Sequence, residues 1–537
     1  MNDDFLNLLD RKLDDNQIAA LRATKNAVIA AGAGSGKTQV LASRFAWLII
    51  TGQAKADQIL TLTFTNKAAA EMHQRIYHTI KKFAEHEVCE ILSEHQKKLA
   101  QDALKDFSSA HIQTLDSYCT SIVRQCANRY GIKPDFSIGT GDGQRSVKNS
   151  AFKFILQNLS NKAVITFASP GKIQDFAENT FASIILDFTS LATEPCYFVR
   201  KFEVQKQEIV EAWNKIIKGK ENGSIYSFID TIKENLAASD KKNDEAKALY
   251  VKSIEKIIEE AEEIVCDKDI TKDDIESSSL EKRLDFLKTL FDDILSATKM
   301  TGKIIDVSTV VTKLKNEIPT YKSIISFVNQ YDALLAFNKL LDDFLEQTNR
   351  AKRISGNLSF KDVTDLALKI LLENEDIRNQ EKSAYKKIMI DEFQDNNGKN
   401  RDLLYILALK NGEFEQNGKC IIDVPENTTL HDLLKDSREE EKLFFVGDEK
   451  QSIYKFRGAD VSVFNELTKD DENEIVSMTY NYRSDAALVK SFNTIFKNGN
   501  FIFENYAETH SKIDYEAYYE KNAAKNGKSL PEITAQN

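Results

Sequence analysis

The chain of 537 residues is too long for one small hydrophobic core, which predicts two to four domains. With 42% apolar residues, no apolar run long enough to span a bilayer and an acidic start, MNDDFLNLLDRKLDD, the sequence predicts a cytoplasmic protein without a signal peptide or a membrane partner. The net charge of −11 argues against nucleic-acid affinity over the whole surface, but it is compatible with a local groove of basic and aromatic residues.

The first informative element is an apolar strand, NAVIAA at residues 26–31, which leads into the loop AGAGSGKT at residues 31–38. A phosphate loop usually reads Gly, any four residues, Gly, Lys and then Ser or Thr, and Ala31 stands where the first glycine is expected. Alanine fits there wherever the backbone needs no positive φ, and Gly34 and Gly36 remain to cradle phosphate. The next helix is expected to begin near Lys37 and to add its positive N-terminus.

This loop predicts a site for a nucleoside triphosphate and a divalent cation. Lys37 is expected to reach the β and γ phosphates of ATP, and the Thr38 hydroxyl to bind Mg²⁺. A small-residue turn that merely follows a strand is the alternative. The predicted nucleotide-binding residues of the loop are Ala31, Gly32, Ala33, Gly34, Ser35, Gly36, Lys37 and Thr38.

Two further strand ends carry polar residues that ATP alone does not explain. The stretch LTFTNKAAAEMHQRI places residues 63–66 at a strand end and then starts a helix, and IQTLDSYC does the same near Thr114. Ligands of open α/β sheets bind outside the carboxyl ends of the strands. We therefore predict a second binding surface beside the nucleotide.

No proline lies between Pro195 and Pro319, and long charged helices dominate that span. In VKSIEKIIEEAEEIV the apolar residues recur three and four positions apart, which is typical of an amphipathic helix. We predict a helical packing domain with solvated Lys and Glu faces. A contact of this block with DNA stays open, since none of its residues indicates one.

The stretch KKIMIDEFQD predicts the partner of the phosphate loop. Ile388, Met389 and Ile390 form an apolar strand, and Asp391 and Glu392 stand at its end. Two adjacent carboxylates are costly in that position unless a cation uses them. We expect Asp391 to hold Mg²⁺, partly through water, and Glu392 to accept a proton from the water that attacks the γ phosphate. An acidic strand-to-loop turn is the alternative.

Aromatic rings alternate with polar and basic residues in VGDEKQSIYKFRGAD, directly after another apolar strand. Bases of a single strand stack on Phe or Tyr at about 1–3 kcal/mol each, while polar groups hold the phosphates. We predict that Phe64, Tyr454 and Phe456 stack on single-stranded DNA. For each ring taken alone, packing in the core is the alternative.

Short apolar runs that end in polar turns alternate with helices on both sides of the helical block. This pattern predicts an α/β fold in which a doubly wound parallel sheet is interrupted by a large helical insertion. Residues 411–440 are polar and charged, and they are predicted to form a surface insertion between two strands.

Six motifs follow the order found in the UvrD/Rep helicases of superfamily one: LDDNQIAAL, AGAGSGKT, TFTNKAAAEM, IDEFQD, VGDEKQSIYKFRGA and NYRS. They extend from Gln17 to Ser484, and phosphate loops of that family commonly begin with Ala. TLDSYC and LSFKDV resemble the RecB and AddA branch more than UvrD itself. The resemblance implies a P-loop NTPase (RecA-like) DNA motor that uses ATP and Mg²⁺ and that has another helicase–nuclease subunit for its partner.

The resemblance also implies roles for individual residues. Gln17 should contact the adenine edge, and Tyr482 should stack on the adenine face. Gln451 should sense the γ phosphate and couple it to the DNA groove, while Arg483 should contact the γ phosphate across a cleft between two motor domains. The residues implied to contact DNA are Phe64, Thr65, Asn66, Thr114, Tyr454, Phe456 and Arg457.

Two positions depart from the family pattern. Gln39 follows the phosphate loop where relatives often carry Arg, and Asp116 stands where many relatives have His. Gln39 stays among the predicted nucleotide-binding residues, but its contact with the adenine side is open, as is a DNA contact at Asp116.

The resemblance divides the chain into four segments. Residues 1–118 and 357–475 are predicted to form the first RecA-like motor domain, and residues 119–356 a helical accessory subdomain of the 1B type. Residues 476–537 are predicted to start a second RecA-like domain that is incomplete, because its Thr-rich motif and its second arginine motif are not found there.

The expected function is that of the N-terminal part of an ATP-dependent 3′-to-5′ DNA helicase in repair or recombination. The alternative is a truncated module that binds ATP and DNA without helicase activity of its own. An unrelated phosphate-loop kinase or switch is disfavoured, because such a protein does not require the motifs QSIYKFRGA and NYRS in this order.

Overall fold

The computed structural model describes residues 12–85, 92–139, 142–218, 224–237, 270–275, 316–416 and 428–485, with shorter stretches between and beyond them. The chain divides into two compact units, one made of Met1–Ile138 and Leu358–Asn537 and the other of Gly139–Asn357. The second unit is therefore inserted into the sequence of the first. Most of the predicted amphipathic helix at residues 251–265 lies outside the described residues.

The strands found in the described residues are short, and most belong to the first unit. They are β1 Ala27–Ala31, β2 Ile59–Thr63, β3 His111–Thr114, β4 Ser137–Ile138, β5 Asn357–Leu358, β6 Lys387–Ile390, β7 Glu415–Gln416, β8 Lys419–Cys420, β9 Leu443–Gly447, β10 Glu474–Met478, β11 Tyr480–Asn481 and β12 Glu516–Ala517.

Six of these strands form an all-parallel sheet in the order β10-β1-β9-β6-β2-β3. Strands β2 and β9 are buried along their whole length, as expected for parallel strands covered on both faces. Parallel strands need long crossovers, and helices supply them here. The predicted α/β character and parallel sheet are therefore confirmed.

The helices surround this sheet and form most of the described part of the inserted unit. They are α1 Asp15–Arg22, α2 Lys37–Ile50, α3 Asn66–Glu85, α4 Glu94–Lys105, α5 Leu115–Cys126, α6 Asp142–Gln157, α7 Lys162–Phe167, α8 Ile173–Asp175, α9 Ala182–Phe188, α10 Tyr197–Lys218, α11 Ile225–Ala237, α12 Lys272–Ile275, α13 Ile318–Asn329, α14 Tyr331–Ser355, α15 Phe360–Glu373, α16 Glu375–Ala384, α17 Gly398–Leu407, α18 Leu430–Leu434 and α19 Val461–Leu467. Within the described residues, none of them is long and apolar enough to cross a membrane.

Helix α1 is fixed to α2 by the side chain of Arg44. Its guanidinium donates hydrogen bonds to the carbonyls of Ala20, Leu21 and Ala23 at the end of α1, at 3.2, 2.8 and 3.0 Å. The last carbonyls of a helix lack the usual partners further along the chain, and the Ala20 carbonyl accepts only a long bond of 3.4 Å from the N–H of Ala23, so a buried cation stabilises this end. Burial lowers the pKa of Arg44 to about 10, which leaves it charged at neutral pH. The contact holds the helix that carries Gln17 against the helix that begins at Lys37.

The two segments that flank the inserted unit lie side by side in the first unit. Helix α5 packs against α15, and the Tyr118 hydroxyl donates to Glu381 at 2.8 Å. Arg129 pairs with Asp376 at 3.0 Å. The predicted domain boundary at residue 119 thus falls inside α5, and the one at residue 476 falls inside β10, which pairs with β1 in the sheet.

The predicted surface insertion at residues 411–440 lies only partly on the surface. It contains the antiparallel pair β7–β8 and helix α18, between α17 and β9. Leu434 and Arg438 are nonetheless buried, and the Arg438 guanidinium lies 4.5 Å from the ring of Tyr405. The segment therefore covers part of the first unit's core.

In the inserted unit, helices pack around a cluster of aromatic rings. Phe181 and Phe344 are fully buried, with ring centroids 5.4 Å apart, and Phe154 lies 5.2 Å from Phe344. The Asp342 carboxylate of α14 accepts hydrogen bonds from two backbone N–H groups in the first turn of α10, at 3.0 and 2.9 Å. A carboxylate at a helix N-terminus is stabilising, so this contact fixes α10 on α14.

Candidate nucleotide and nucleic-acid site

Most predicted site residues of the first unit follow strands of the central sheet at their carboxyl ends, whereas Gln17 lies on α1, which precedes β1. The loop at residues 32–36 follows β1, Asp391 follows β6, and Asp448 follows β9. Phe64 follows β2, and Thr114 is the last residue of β3. Since all these strands are parallel, their carboxyl ends meet at one edge of the sheet, where ligands of such sheets bind.

The glycine loop, residues 31–38, has the backbone that a phosphate cradle needs. Gly34 and Gly36 have φ of +75° and +88°, a region that disfavours other residues. A Cβ on Gly36 would lie 2.8 Å from Nε2 of Gln17. Ala31 is still in strand β1, which agrees with the prediction that alanine fits there, and α2 begins at Lys37 as predicted.

The loop and the acidic strand end meet directly. Lys37 Nζ lies 2.9 Å from Glu392 Oε2, so two residues separated by 355 positions form an ion pair. Glu392 has φ +52° and ψ +44°, a left-handed conformation that is rare for a residue with a side chain. Such a conformation costs about 1–3 kcal/mol and is found mainly at functional sites.

Asp391 is buried beside this pair. Burial, followed by the negative charge of Glu392, raises the pKa of Asp391 to about 7, although Lys37 acts in the opposite direction. Burial and Glu392 also raise the pKa of Asp395 to about 6. The site thus holds more negative charge than Lys37 alone compensates, which is the condition under which a divalent cation stabilises it.

The donor set fits a magnesium nucleotide. The Ser35 hydroxyl is buried in the loop without a hydrogen-bond partner, and Thr38 follows Lys37 in the first turn of α2. Asp391 supplies a carboxylate oxygen, which suits Mg²⁺. The loop N–H groups and the N-terminus of α2 suit phosphate.

The residues implied to hold adenine lie around the same loop. Gln17 Nε2 donates to the carbonyl of Ser35 at 2.9 Å, and the Tyr482 backbone N–H donates to the carbonyl of Gly34 at 2.9 Å. The Tyr482 hydroxyl donates to the Asp14 carboxylate, which also caps α1. Gln39 bonds instead to Ser43 of its own helix, at 3.3 Å.

Residues 34–39 of the loop and of α2, together with Tyr482, line one cleft with a volume of about 1550 Å³. Exposed Arg483 lies in its wall together with Gln451 and Glu392. The residues predicted for nucleotide binding and catalysis are therefore brought together, whereas their individual roles stay predictions.

The three nominated rings also come together, although Phe64 is about 390 residues away from the other two in sequence. The ring centroids of Phe64 and Tyr454 are 4.7 Å apart, and those of Tyr454 and Phe456 are 5.8 Å apart. Phe456 is 79% exposed and Ile453 is 69% exposed. Core packing therefore does not explain Phe456.

The other implied DNA contacts differ in their surroundings. Asn66 and Thr114 line a second cleft of about 400 Å³ between α3 and β3. The Thr114 hydroxyl caps α5 by accepting from the N–H of Ser117 at 3.1 Å, and the Thr65 hydroxyl accepts from Ala68 N–H at 3.1 Å. The side chain of Arg457 lies outside the described residues.

A model of the UvrD/REP helicase N-terminal domain matches residues 13–472, which is most of the chain. This chain belongs to that family. The predicted resemblance, based on six ordered motifs, is confirmed.

Curated relatives of this UvrD/REP-family chain are helicase/nuclease subunits. An ATP-dependent helicase/nuclease subunit of Streptococcus thermophilus is 25% identical over 527 residues, which cover 91% of this chain and 39% of that protein. The exonuclease/helicase subunit RexA of Lactococcus lactis subsp. cremoris is 26% identical over 527 residues, which cover 91% of this chain and 40% of that protein. This chain thus spans about two fifths of the length of these relatives.

Sequence reasoning missed three polar side chains of this UvrD/REP-type site. Gln394 stands inside the quoted motif IDEFQD, but only the two carboxylates before it were given roles. Its amide joins Glu392 to the backbone of Asp448, whose carboxylate in turn accepts from Gln451 Nε2 at 2.6 Å. Asp14, which accepts from the Tyr482 hydroxyl, stands inside the quoted motif LDDNQIAAL but was given no role.

Proposed function

We propose that this chain is the ATP- and DNA-binding N-terminal part of an ATP-dependent 3′-to-5′ DNA helicase acting in repair or recombination. Its sheet would be that of a RecA-like P-loop NTPase. The observation that carries the proposal is the ion pair between Lys37 and Glu392, which joins the glycine loop to the acidic strand end. Membership of the UvrD/REP family supports it.

In this proposal each group of the cleft has one task. The loop N–H groups and Lys37 bind the phosphates, while Gln17 and Tyr482 hold the base. Thr38 and Asp391 hold Mg²⁺, which neutralises charge on the β and γ phosphates when bound. Glu392 accepts the proton of the attacking water, and Gln451 and Arg483 contact the γ phosphate.

The first test compares ATP binding and steady-state ATP hydrolysis by this chain, with and without single-stranded DNA. Replacing Lys37 by Ala is expected to weaken ATP binding about 10- to 100-fold, because a charged hydrogen bond to phosphate is worth about 1.5–3 kcal/mol. Lys442→Ala is the matched control, since Lys442 is also buried and pairs with Glu439 at 3.1 Å, away from the glycine loop.

DNA-stimulated turnover that Lys37→Ala abolishes and Lys442→Ala keeps would support the proposal. Saturated ATP binding without turnover would favour the alternative, an ATP- and DNA-binding module without autonomous activity. No ATP binding at all would overturn both. Displacement of streptavidin from the 5′ end of a strand, but not from the 3′ end, is the result expected for 3′-to-5′ movement.

The aromatic group Phe64, Tyr454 and Phe456 is proposed to stack on the bases of single-stranded DNA. Phe456→Ala is expected to weaken binding of oligothymidine roughly 5- to 150-fold, since one base–ring stack is worth about 1–3 kcal/mol. Fluorescence anisotropy measures this directly. Phe188→Ala is the matched control because Phe188 is 67% exposed and lies on α9, outside the ring group. Equal losses in both variants would contradict the assignment.

The relatives are subunits of helicase–nucleases, which supports a partner for this chain as well. We propose a helicase–nuclease partner subunit. Co-purification of this chain with the second subunit encoded in its own genome would test it.

A further inference from the structure

One buried side chain lies between the nucleotide cleft and the loop at residues 448–456, which carries Tyr454 and Phe456 and is called the aromatic loop below. Gln394, in the turn after β6, is only 1% exposed. Its Nε2 donates to Glu392 Oε2 at 2.8 Å, and its Oε1 accepts from the backbone N–H of Asp448 at 2.9 Å. Only this orientation of the amide gives the carboxylate a donor and the N–H an acceptor.

The space around this amide is closely fitted. A Cβ on Gly447, the last residue of β9, would lie 2.8 Å from Gln394 Oε1 and 2.9 Å from the ring of Phe464. The absence of a side chain at Gly447 therefore lets the amide approach the end of β9. A shift of Glu392 that moves Gln394 is transmitted to Asp448, because packed groups leave little room for independent movement.

The same turn also holds the next residues of the aromatic loop. The Ser452 hydroxyl donates to the Gln394 carbonyl at 3.1 Å. Asp395 accepts a hydrogen bond from the backbone of Ile453. Tyr454 and Phe456 follow immediately, so three separate contacts tie this loop to residues 394–395.

On the nucleotide side, Glu392 has two described partners, Lys37 at 2.9 Å and Gln394 at 2.8 Å. The proposed function moves Lys37 onto the phosphates when ATP binds. Glu392 then loses a cation and keeps the amide, so the position of the Glu392–Gln394 pair depends on the nucleotide. A hydrogen bond from a charged donor is stronger than one from a neutral donor. The loss of Lys37 therefore removes the stronger of the two bonds that hold the Glu392 carboxylate.

We propose that Gln394 is a positioning residue that couples nucleotide binding at Lys37 and Glu392 to DNA binding by the loop at residues 448–456. The inference rests on the proposed function, because it needs both ligands to bind. It adds the connection between them, which runs from Glu392 through Gln394 to Asp448 and Gln451.

The test is a thermodynamic one and needs no turnover. The Kd of this chain for a fluorescent oligothymidine is measured with and without a saturating, non-hydrolysable ATP analogue and Mg²⁺. In the unmodified chain the analogue is expected to change the Kd by at least about 5-fold, the lower end of typical coupling between sites. In Gln394→Met the change is expected to fall below about 2-fold.

Two further variants separate coupling from stability. Gln394→Glu keeps the acceptor for the Asp448 N–H but replaces the donor to Glu392 with a carboxylate, so it is expected to abolish coupling and, because it buries a second negative charge beside Glu392, to lower the Tm. Asn26→Ala is the control at the other end of β9. There the Asn26 side chain accepts from the N–H groups of Lys442 and Leu443 at 3.1 and 2.8 Å, and its loss should lower Tm without affecting coupling.

Coupling lost in both Gln394 variants but kept in Asn26→Ala would support the inference. Unchanged coupling in Gln394→Met, or an unmodified chain that binds both ligands independently, would overturn it and leave the proposed function standing. A chain that binds neither ligand would instead overturn the proposed function, and the inference with it.

Discussion

Replacing Glu392 by glutamine is expected to lower DNA-stimulated ATP hydrolysis by about 10²- to 10⁴-fold, the usual contribution of a general base. The amide has the same shape as the carboxylate but cannot accept a proton from water. It also removes the ion pair with Lys37, so Lys37 is free to bind phosphate before any rearrangement. ATP binding should therefore be unchanged or tighter.

The measurement is single-turnover hydrolysis at saturating ATP, beside equilibrium binding of a labelled nucleotide. Glu466→Gln is a suitable control, because Glu466 on α19 also pairs with a cation, Arg401 at 2.6 Å, but is not among the residues of the cleft. A Glu392→Gln variant with the turnover of the unmodified chain would exclude Glu392 as the base. A parallel loss of ATP binding would instead assign it to binding.

Replacing Asp391 by asparagine is expected to stabilise the chain without nucleotide and to abolish Mg²⁺-dependent ATP binding. Folding raises the pKa of Asp391 from 3.8 to about 7. As the pH rises, the Asp391 carboxyl therefore ionises at a lower pH in the unfolded chain than in the folded chain. As the pH rises from about 4 to about 7, this carboxyl therefore lowers the free energy of unfolding progressively. At 1.36 kcal/mol for each pKa unit, the loss reaches about 4 kcal/mol. Asparagine has no such cost and can keep the hydrogen bond to the N–H of Glu392.

Thermal melting at pH 5 and pH 8 measures this difference. The Tm of Asp391→Asn should exceed that of the unmodified chain at pH 8 by several degrees and by much less at pH 5. With Mg²⁺ and ATP present, the unmodified chain should have the higher Tm, because only its Asp391 carboxylate gains binding energy from the ligands. The affinity of the unmodified chain for Mg²⁺ and ATP should accordingly rise from pH 6 to pH 8. A gap in Tm that is equal at both pH values would contradict the titration of Asp391.

The sequence carried enough information for the local parts of the site. Strand-to-loop patterns located β1, β6 and β9, and the Lys-Thr ending of the loop placed the start of α2 at Lys37. Alternation of rings with polar residues predicted Phe64, Tyr454 and Phe456, and the structure places their rings close together. These features depend on neighbours in sequence or on simple strand geometry, which is why a single sequence shows them.

Other features depend on contacts between distant residues, and no local pattern predicts them. The left-handed backbone of Glu392 is stable only because surrounding elements impose it. The bridge made by Gln394 needs the turn after β6 to meet the end of β9. The raised pKa of Asp391 needs the depth of its burial, which a sequence does not give. The packing of α5 on residues that follow the inserted unit likewise joins segments far apart in sequence.

The order of strands in the sheet has a consequence for biosynthesis. Strand β1 pairs with β9 and β10, and its residue Ala27 is matched with Phe444 and Glu474. More than about 400 residues must therefore be translated before β1 meets either partner, which takes roughly 20–80 s at 5–20 residues per second. The inserted unit, Gly139–Asn357, is continuous and can fold during that interval. The glycine loop leaves the ribosome early but acquires its acidic partner late, so a chaperone that shields the apolar β1 during translation should raise the yield of active protein.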